Sequence, residues 1–158
     1  MTIQNMQHAQ SHTWNEVHSQ GTVWLSVLDE LRANKKLEAI LQTTDANREW
    51  IFVGCGTSFY LAEAAALSWI LLTGQPARAI PASEILLFPK LLQTKGSQFQ
   101  AVVISRSGRT SEAVRAAKAL RQELKIPTIG ITCAQDSDLE RACEASIVIN
   151  AADEQSTV

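Results

Sequence analysis

From residue 50 onward short apolar runs alternate with longer helical patterns, and this alternation constrains the fold more than any other feature. W-I-F-V at 50–53 is too short for a stable helix and reads as a strand. A-V-V-I at 101–104, T-I-G-I at 128–131 and I-V-I at 147–149 repeat the signal, and R-A-I at 78–80 is a weaker second strand. Helical patterns lie between them. Residues 57–73 read as a buried helix, with Gly74 as its C-cap and Pro76 beyond. Residues 82–92 read as a short helix and loop broken at Pro89. Residues 110–124 are amphipathic, with Ala113, Val114, Ala117, Leu120 and Leu124 inward and Arg115, Lys118 and Arg121 outward. Ser137 and Glu140 form a capping box that opens a last short helix. Uniformly apolar strands pair in parallel, and right-handed crossovers place helices on both faces. The expected fold is α/β: a three-layer αβα sandwich around a doubly wound, five-stranded parallel sheet of flavodoxin or Rossmann type.

Residues 1–47 read as an N-terminal helical segment and 48–158 as one domain, with no internal repeat or low-complexity linker. The first twelve residues are polar and expected to fray. His8 and His12 could share a helix face, but two ligands do not make a metal site, and no metal is expected. Thr13 and Glu16 fit a capping box for a short helix. Trp24, Val27, Leu28 and Leu31 then mark one face of a second helix. Asn34, Lys35 and Lys36 break it before Leu37, Ile40 and Leu41.

Charge and cysteine content exclude several classes. Fourteen Lys and Arg against sixteen Asp and Glu give a net charge of -2, and the pI of 5.9 is far from the roughly 9 typical of nucleic-acid-binding domains. Only Arg32, Lys35, Lys36 and Arg48 are basic in the first 48 residues, too few for a DNA-reading helix-turn-helix. Cys55, Cys133 and Cys143 are odd in number and widely spaced, which argues against a disulfide scaffold. Cys133 and Cys143 read as buried small hydrophobes. The opening residues lack the apolar core of a signal peptide. The most apolar stretch, 59–72, is interrupted by Glu63 and Ser68 and is too short for a membrane span. A cytoplasmic protein without membrane contact is expected.

In a doubly wound sheet ligands sit at the carboxyl ends of the strands, so the loops there carry the functional signal. After the first strand come Gly54, Cys55, Gly56, Thr57 and Ser58. The glycines allow a sharp turn and close approach of a ligand, and Thr57 and Ser58 begin a helix whose free N–H groups favour an anion. A capped turn without a ligand is the plainer alternative. A dinucleotide fingerprint would need glycine where Phe59 stands. After the third strand come Ser105, Arg106, Ser107, Gly108, Arg109, Thr110, Ser111 and Glu112. Hydroxyls, helix N–H groups and an arginine together suit the oxygens of a phosphate monoester. The loop lacks the lysine pattern of a nucleoside-triphosphate P-loop. Cys55 lies at a helix start, where a thiolate is stabilised. All three histidines fall within the first 18 residues, so it lacks a partner for nucleophilic work.

These two loops, G-C-G-T-S and S-R-S-G-R-T-S-E, resemble those of the sugar isomerase (SIS) domain, a phosphosugar-binding family. Three shorter matches are similar to the first SIS module in the isomerase part of glucosamine-6-phosphate synthase and related amino-sugar phosphate deaminases. N-E-V-H-S-Q at 15–20 resembles its K-E-I-x-E-Q-P, with Gly21 in place of Pro. A-S-E at 82–84 resembles its A-S-E-F. D-E-Q-S-T-V at 153–158 resembles the start of its E-x-x-V-x-T-K/R-x-F.

The resemblance implies that Thr57, Ser58, Ser105, Ser107 and Thr110 hold a sugar phosphate, with the sugar contacting backbone near Thr157. Gly54, Gly56 and Gly108 shape the loops. Arg106 stands where the synthase has Gln and Arg109 where it has Glu, and Arg106 is placed among the substrate-binding residues. The implied ligand is a hexose or amino-sugar 6-phosphate, such as fructose 6-phosphate or glucosamine 6-phosphate. The implied reaction is isomerisation, amino transfer or deamination, without cofactor or metal. The family's catalytic Glu, His and Lys belong to a second SIS module or to the stretch beyond it, and neither segment is present in these 158 residues. Glu84 and Glu154 are the carboxylates expected near strand ends, both in structural roles. A homodimer, or pairing with a second SIS module, is expected to complete the site, with Trp24 and Trp69 as interface anchors or core residues. A non-catalytic phosphosugar sensor is the alternative function.

Overall fold

The computed structural model describes residues 12–42, 47–93 and 98–153. Its elements run α1 (His12–Ala33), α2 (Lys35–Gln42), β1 (Glu49–Gly54), α3 (Thr57–Thr73), β2 (Ala77–Pro81), α4 (Ala82–Leu87), β3 (Phe99–Ile104), α5 (Ser111–Lys118), β4 (Thr128–Thr132), α6 (Asp138–Ala142) and β5 (Ala145–Val148). The five strands form one parallel sheet in the order β2-β1-β3-β4-β5. The expected αβα sandwich is therefore present.

Alternation along β1 builds its two cores. Ile51 and Val53 point to one face, where α4, α5, the turn after α5 and α6 bring Ile85, Ala113, Ala117, Leu120 and Leu139. Trp50 and Phe52 point to the other, where α2 and α3 bring Ile40, Ala62 and Ala66. Alanines on the inner side of α5 let that helix sit close to the sheet. Trp69 joins the second core, its ring 4.0 Å from that of Trp50 and 6.2 Å from that of Phe52. It is partly buried and packs against this core, the second of the two roles expected for it. Trp24, by contrast, is exposed.

Several boundaries differ from expectation, each for a local reason. The two N-terminal helices are a single 22-residue helix, because Gly21 weakens a helix without ending it. Thr13 lies within that helix and does not start a separate one. Asn34 does end it, and its Oδ1 accepts from the N–H groups of Lys36 (3.0 Å) and Leu37 (3.2 Å) to start α2. The expected 110–124 helix is α-helical only to Lys118 and finishes as a π-helical turn over Ala119–Glu123. The last strand starts at Ala145 and ends before Ile149, whose N–H still donates to the Thr132 carbonyl (2.8 Å). Cys143 is buried as expected, but Cys133 is only half-buried. Helix α3 is buried on one side only, through Ala62 and Ala66, although its sequence is apolar nearly all round.

Behind the loop after β3, Gly108 has φ 61°. A Cβ there would overlap the buried Ser137 side chain and come within 2.7 Å of Thr132 Oγ1. Gly56, at φ 51°, has open space around it. At ψ -128° Gly56 occupies a region that side chains rarely adopt, so Gly56→Ala is expected to cost the backbone strain alone, about 1–3 kcal/mol. Gly108→Ala adds steric overlap and should cost about 3 kcal/mol or more. Urea unfolding of the two variants measures the difference.

Burial pushes the Cys143 thiol up to about 12 from an ordinary value of 9.0. Both states hold the proton below pH 9, so stability is unaffected there. Above it the unfolded chain ionises first, and Cys143 should remove up to about 1.4 kcal/mol of stability per pH unit until its folded value is reached. The alkaline loss should be shallower in Cys143→Ala, as read by chemical denaturation between pH 8 and 11.

Candidate functional site

The strand order places the site. The chain leaves β1 through α3 on the Trp50 face to reach β2. It leaves β3 through α5 on the Ile51 face to reach β4. Because β1 and β3 are hydrogen-bonded neighbours, the helices after them diverge to opposite faces and open a crevice at the carboxyl ends. The two hydroxyl-rich loops meet there.

In the first loop, Gly54 ends β1 opposite Pro81. Its missing side chain makes room for the backbone of Ser58 and Phe59, which folds back over it. Gly56 precedes α3, and no side chain caps that helix. Thr57 is exposed and Ser58 half-buried at the first turn.

The second loop is braced from below. The Ser105 N–H donates to the Ile131 carbonyl (3.0 Å). The Arg106 carbonyl accepts from the Cys133 N–H (2.9 Å) and from Thr132 Oγ1 (3.0 Å). The Gly108 carbonyl accepts from the Leu139 N–H (2.9 Å). Ser107 Oγ accepts from the Arg109 N–H (3.3 Å). Thr110 precedes α5, again with no side chain capping the helix start.

Between the loops lies a cleft of about 500 Å³ lined by Cys55, Gly56, Thr57, Ser58, Leu61, Arg106, Ser107 and Thr110. Five of the residues expected at the site thus share one cavity: Thr57, Ser58, Arg106, Ser107 and Thr110. Ser105 lies beneath them, 2% exposed, with its Oγ donating to Thr110 Oγ1 (3.2 Å). It orients a lining hydroxyl. Arg109 is exposed outside the lining. Thr157 and Glu154 lie outside the described residues. Among the described residues no group of three or more His, Cys, Asp and Glu could hold a metal ion, and no helix is long and apolar enough to cross a membrane.

Three features were not expected from the sequence. Leu61, one turn into α3, contributes an apolar wall to the cleft. Beside the cleft, a smaller hollow of about 250 Å³ is lined by Cys55, Tyr60, Ser83 and Glu112, among others. Glu112, rather than Glu84, is therefore the carboxylate close to the β1 loop. Glu84 faces a separate hollow with Leu87, Phe88 and Leu91. The signal for Glu112 was its place in the first turn of a helix that starts at the crevice. Burial, then the charge and hydrogen bond of Glu112, push the Cys55 thiol above its ordinary range. A thiol so placed stays protonated near neutrality and is a poor nucleophile.

Comparisons with known proteins agree with the fold. The SIS domain family matches residues 44–158. No curated protein matches the sequence. Among solved structures, the chain resembles tagatose-6-phosphate ketose/aldose isomerase from Escherichia coli, with a TM-score of 0.71 and 24% identity over 88% of this chain and 40% of that one. It resembles the C-terminal domain of glucosamine-fructose-6-phosphate aminotransferase from Francisella tularensis, with a TM-score of 0.67 and 19% identity over 98% and 42%. It also resembles the Vibrio vulnificus NanR protein complexed with ManNAc-6P, with a TM-score of 0.63 and 20% identity over 87% and 55%. The chain thus spans about two fifths of the isomerase and of the aminotransferase domain. Its matched segment, its parallel sheet and its paired hydroxyl loops make this chain a member of the SIS domain family.

Proposed function

We propose that the cleft binds a hexose or amino-sugar 6-phosphate, such as fructose 6-phosphate or glucosamine 6-phosphate. One observation carries the reading: the hydroxyls of Thr57, Ser58, Ser107 and Thr110 and the side chain of Arg106 line a single cavity at two helix starts. A phosphate monoester presents several acceptor oxygens and up to two negative charges. Hydroxyl and N–H donors satisfy the oxygens, and the guanidinium and helix dipoles offset the charge. Ser105 and the contacts to β4 and α6 hold the donors in place before the ligand arrives, which lowers the entropic cost of binding.

Residues 48–158 are read as the phosphosugar-binding domain and the preceding helices as a separate N-terminal segment. In the full-length unit the module serves an isomerase, aminotransferase or deaminase. Aldose–ketose interconversion needs a base at C2 and a proton shuttle between O1 and O2, and these groups are assigned to a second SIS module or a second chain. The reading requires no cofactor or metal, and a cytoplasmic location suits a phosphosugar ligand. A sensor is the second reading, favoured by the likeness to a NanR structure that holds ManNAc-6P.

Ser107→Ala is expected to weaken phosphosugar binding by about 1.5–3 kcal/mol, the loss typical of a hydrogen bond to a charged group. Calorimetry with fructose 6-phosphate and glucosamine 6-phosphate reads it. Unchanged affinity would remove the β3 loop from the site. Proton exchange at C2 in heavy water, monitored by NMR, tests the sensor reading: exchange by the chain overturns it and indicates an enzyme whose site a second copy completes.

A further inference from the structure

The cleft and the smaller hollow beside it share a border, for Cys55 and Gly56 line both. Beyond its chain neighbours, nothing lies within 4 Å of a side chain built on Gly56. Bare backbone therefore forms the saddle between the two lobes there, and no packed side chain walls one from the other. The lobes differ in charge. The cleft holds the Arg106 guanidinium and lies at two helix starts. The hollow holds the carboxylate of Glu112, from the first turn of α5, and its lining has no Lys or Arg. Tyr60 and Ser83 bring hydroxyls to it.

At about 250 Å³ the hollow is smaller than the roughly 300 Å³ at which ordinary ligand sites begin. It suits one end of a ligand whose other end fills the cleft. We propose that the hollow is an ammonium subsite of the cleft, with Glu112 as its anionic acceptor, so that the chain selects sugar phosphates bearing a free amine. This selection rests on the phosphosugar reading of the cleft, because the phosphate anchors the ligand beside the hollow. Charge fixes the orientation. A phosphate is repelled by Glu112 and drawn to Arg106, and an ammonium has the reverse preference. A zwitterionic amino-sugar phosphate satisfies both lobes; a neutral sugar phosphate satisfies one. The Cys55 thiol reports the field on the saddle. After burial, the charge and hydrogen bond of Glu112 keep it protonated, and a potential that disfavours a thiolate favours a cation. A carboxylate has about four lone-pair sites, so the thiol leaves acceptors for an ammonium. A glutamine in its place would still hydrogen-bond a hydroxyl but would lack the charge, which separates an ammonium site from one for sugar hydroxyls.

Calorimetry of the full chain with glucosamine 6-phosphate, glucose 6-phosphate and N-acetylglucosamine 6-phosphate tests it, at about pH 6.5, where an amine is protonated. All three carry the phosphate, and only the first carries an ammonium. Glucosamine 6-phosphate should bind about tenfold more tightly than either of the others, or better, the gain typical of a hydrogen bond to a charged group. Glu112→Gln should weaken it until its advantage over glucose 6-phosphate is about twofold or less, with circular dichroism unchanged. If that variant does not fold, the native ranking decides alone. A native chain that binds the uncharged sugars as tightly as glucosamine 6-phosphate overturns the ammonium subsite and leaves the phosphosugar reading standing. So does a folded Glu112→Gln chain that keeps the native preference. A chain that binds none of the three overturns both.

Discussion

Strand β3 hydrogen-bonds to the edge of β1 that β2 leaves free, matching Phe52 to Val102 and Val53 to Val103. The crevice depends on this pairing. Two parallel neighbours whose helices took the same side would close their carboxyl ends with packed helix starts. Here the helices diverge, and the loops after both strands face a common space. Everything chemical in the molecule depends on that divergence: the hydroxyls arrive from two directions, and both helix N-termini border one cavity.

Much of this was legible in the chain. Strands such as A-V-V-I are apolar without a break, which only a sheet covered on both faces accommodates, so their existence and parallel pairing could be read directly. The capping box at Ser137 and Glu140 is local chemistry and forms as written, with Ser137 Oγ accepting from the Glu140 N–H at 3.3 Å and Glu140 accepting from the Ser137 N–H at 3.2 Å. Gly74 ends α3 in the left-handed conformation for an equally local reason.

What could not be read depends on partners distant in sequence. Nothing around Ser105 shows that its hydroxyl would turn toward Thr110 while its neighbours face the cleft. Trp69 carries no mark that distinguishes a packing partner of Trp50 from a surface residue. Glu112 sits beside Cys55 only because two loops 57 residues apart converge. The apolar sequence of α3 suggested complete burial, yet one chain covers only half of it. Periodicity reports that a face is hidden, and is silent about what hides it.

Thr132 gives one more consequence. Its hydroxyl donates to the Arg106 carbonyl and accepts from the Ala134 N–H (3.2 Å), so one side chain ties the end of β4 to the loop above the neighbouring strand. The stiffness of the cleft floor is thereby borrowed from a strand that does not line it. A loop so tethered opens only when the sheet margin opens, and the Ser105 amide, bonded to the Ile131 carbonyl, exchanges with solvent on the schedule of the core.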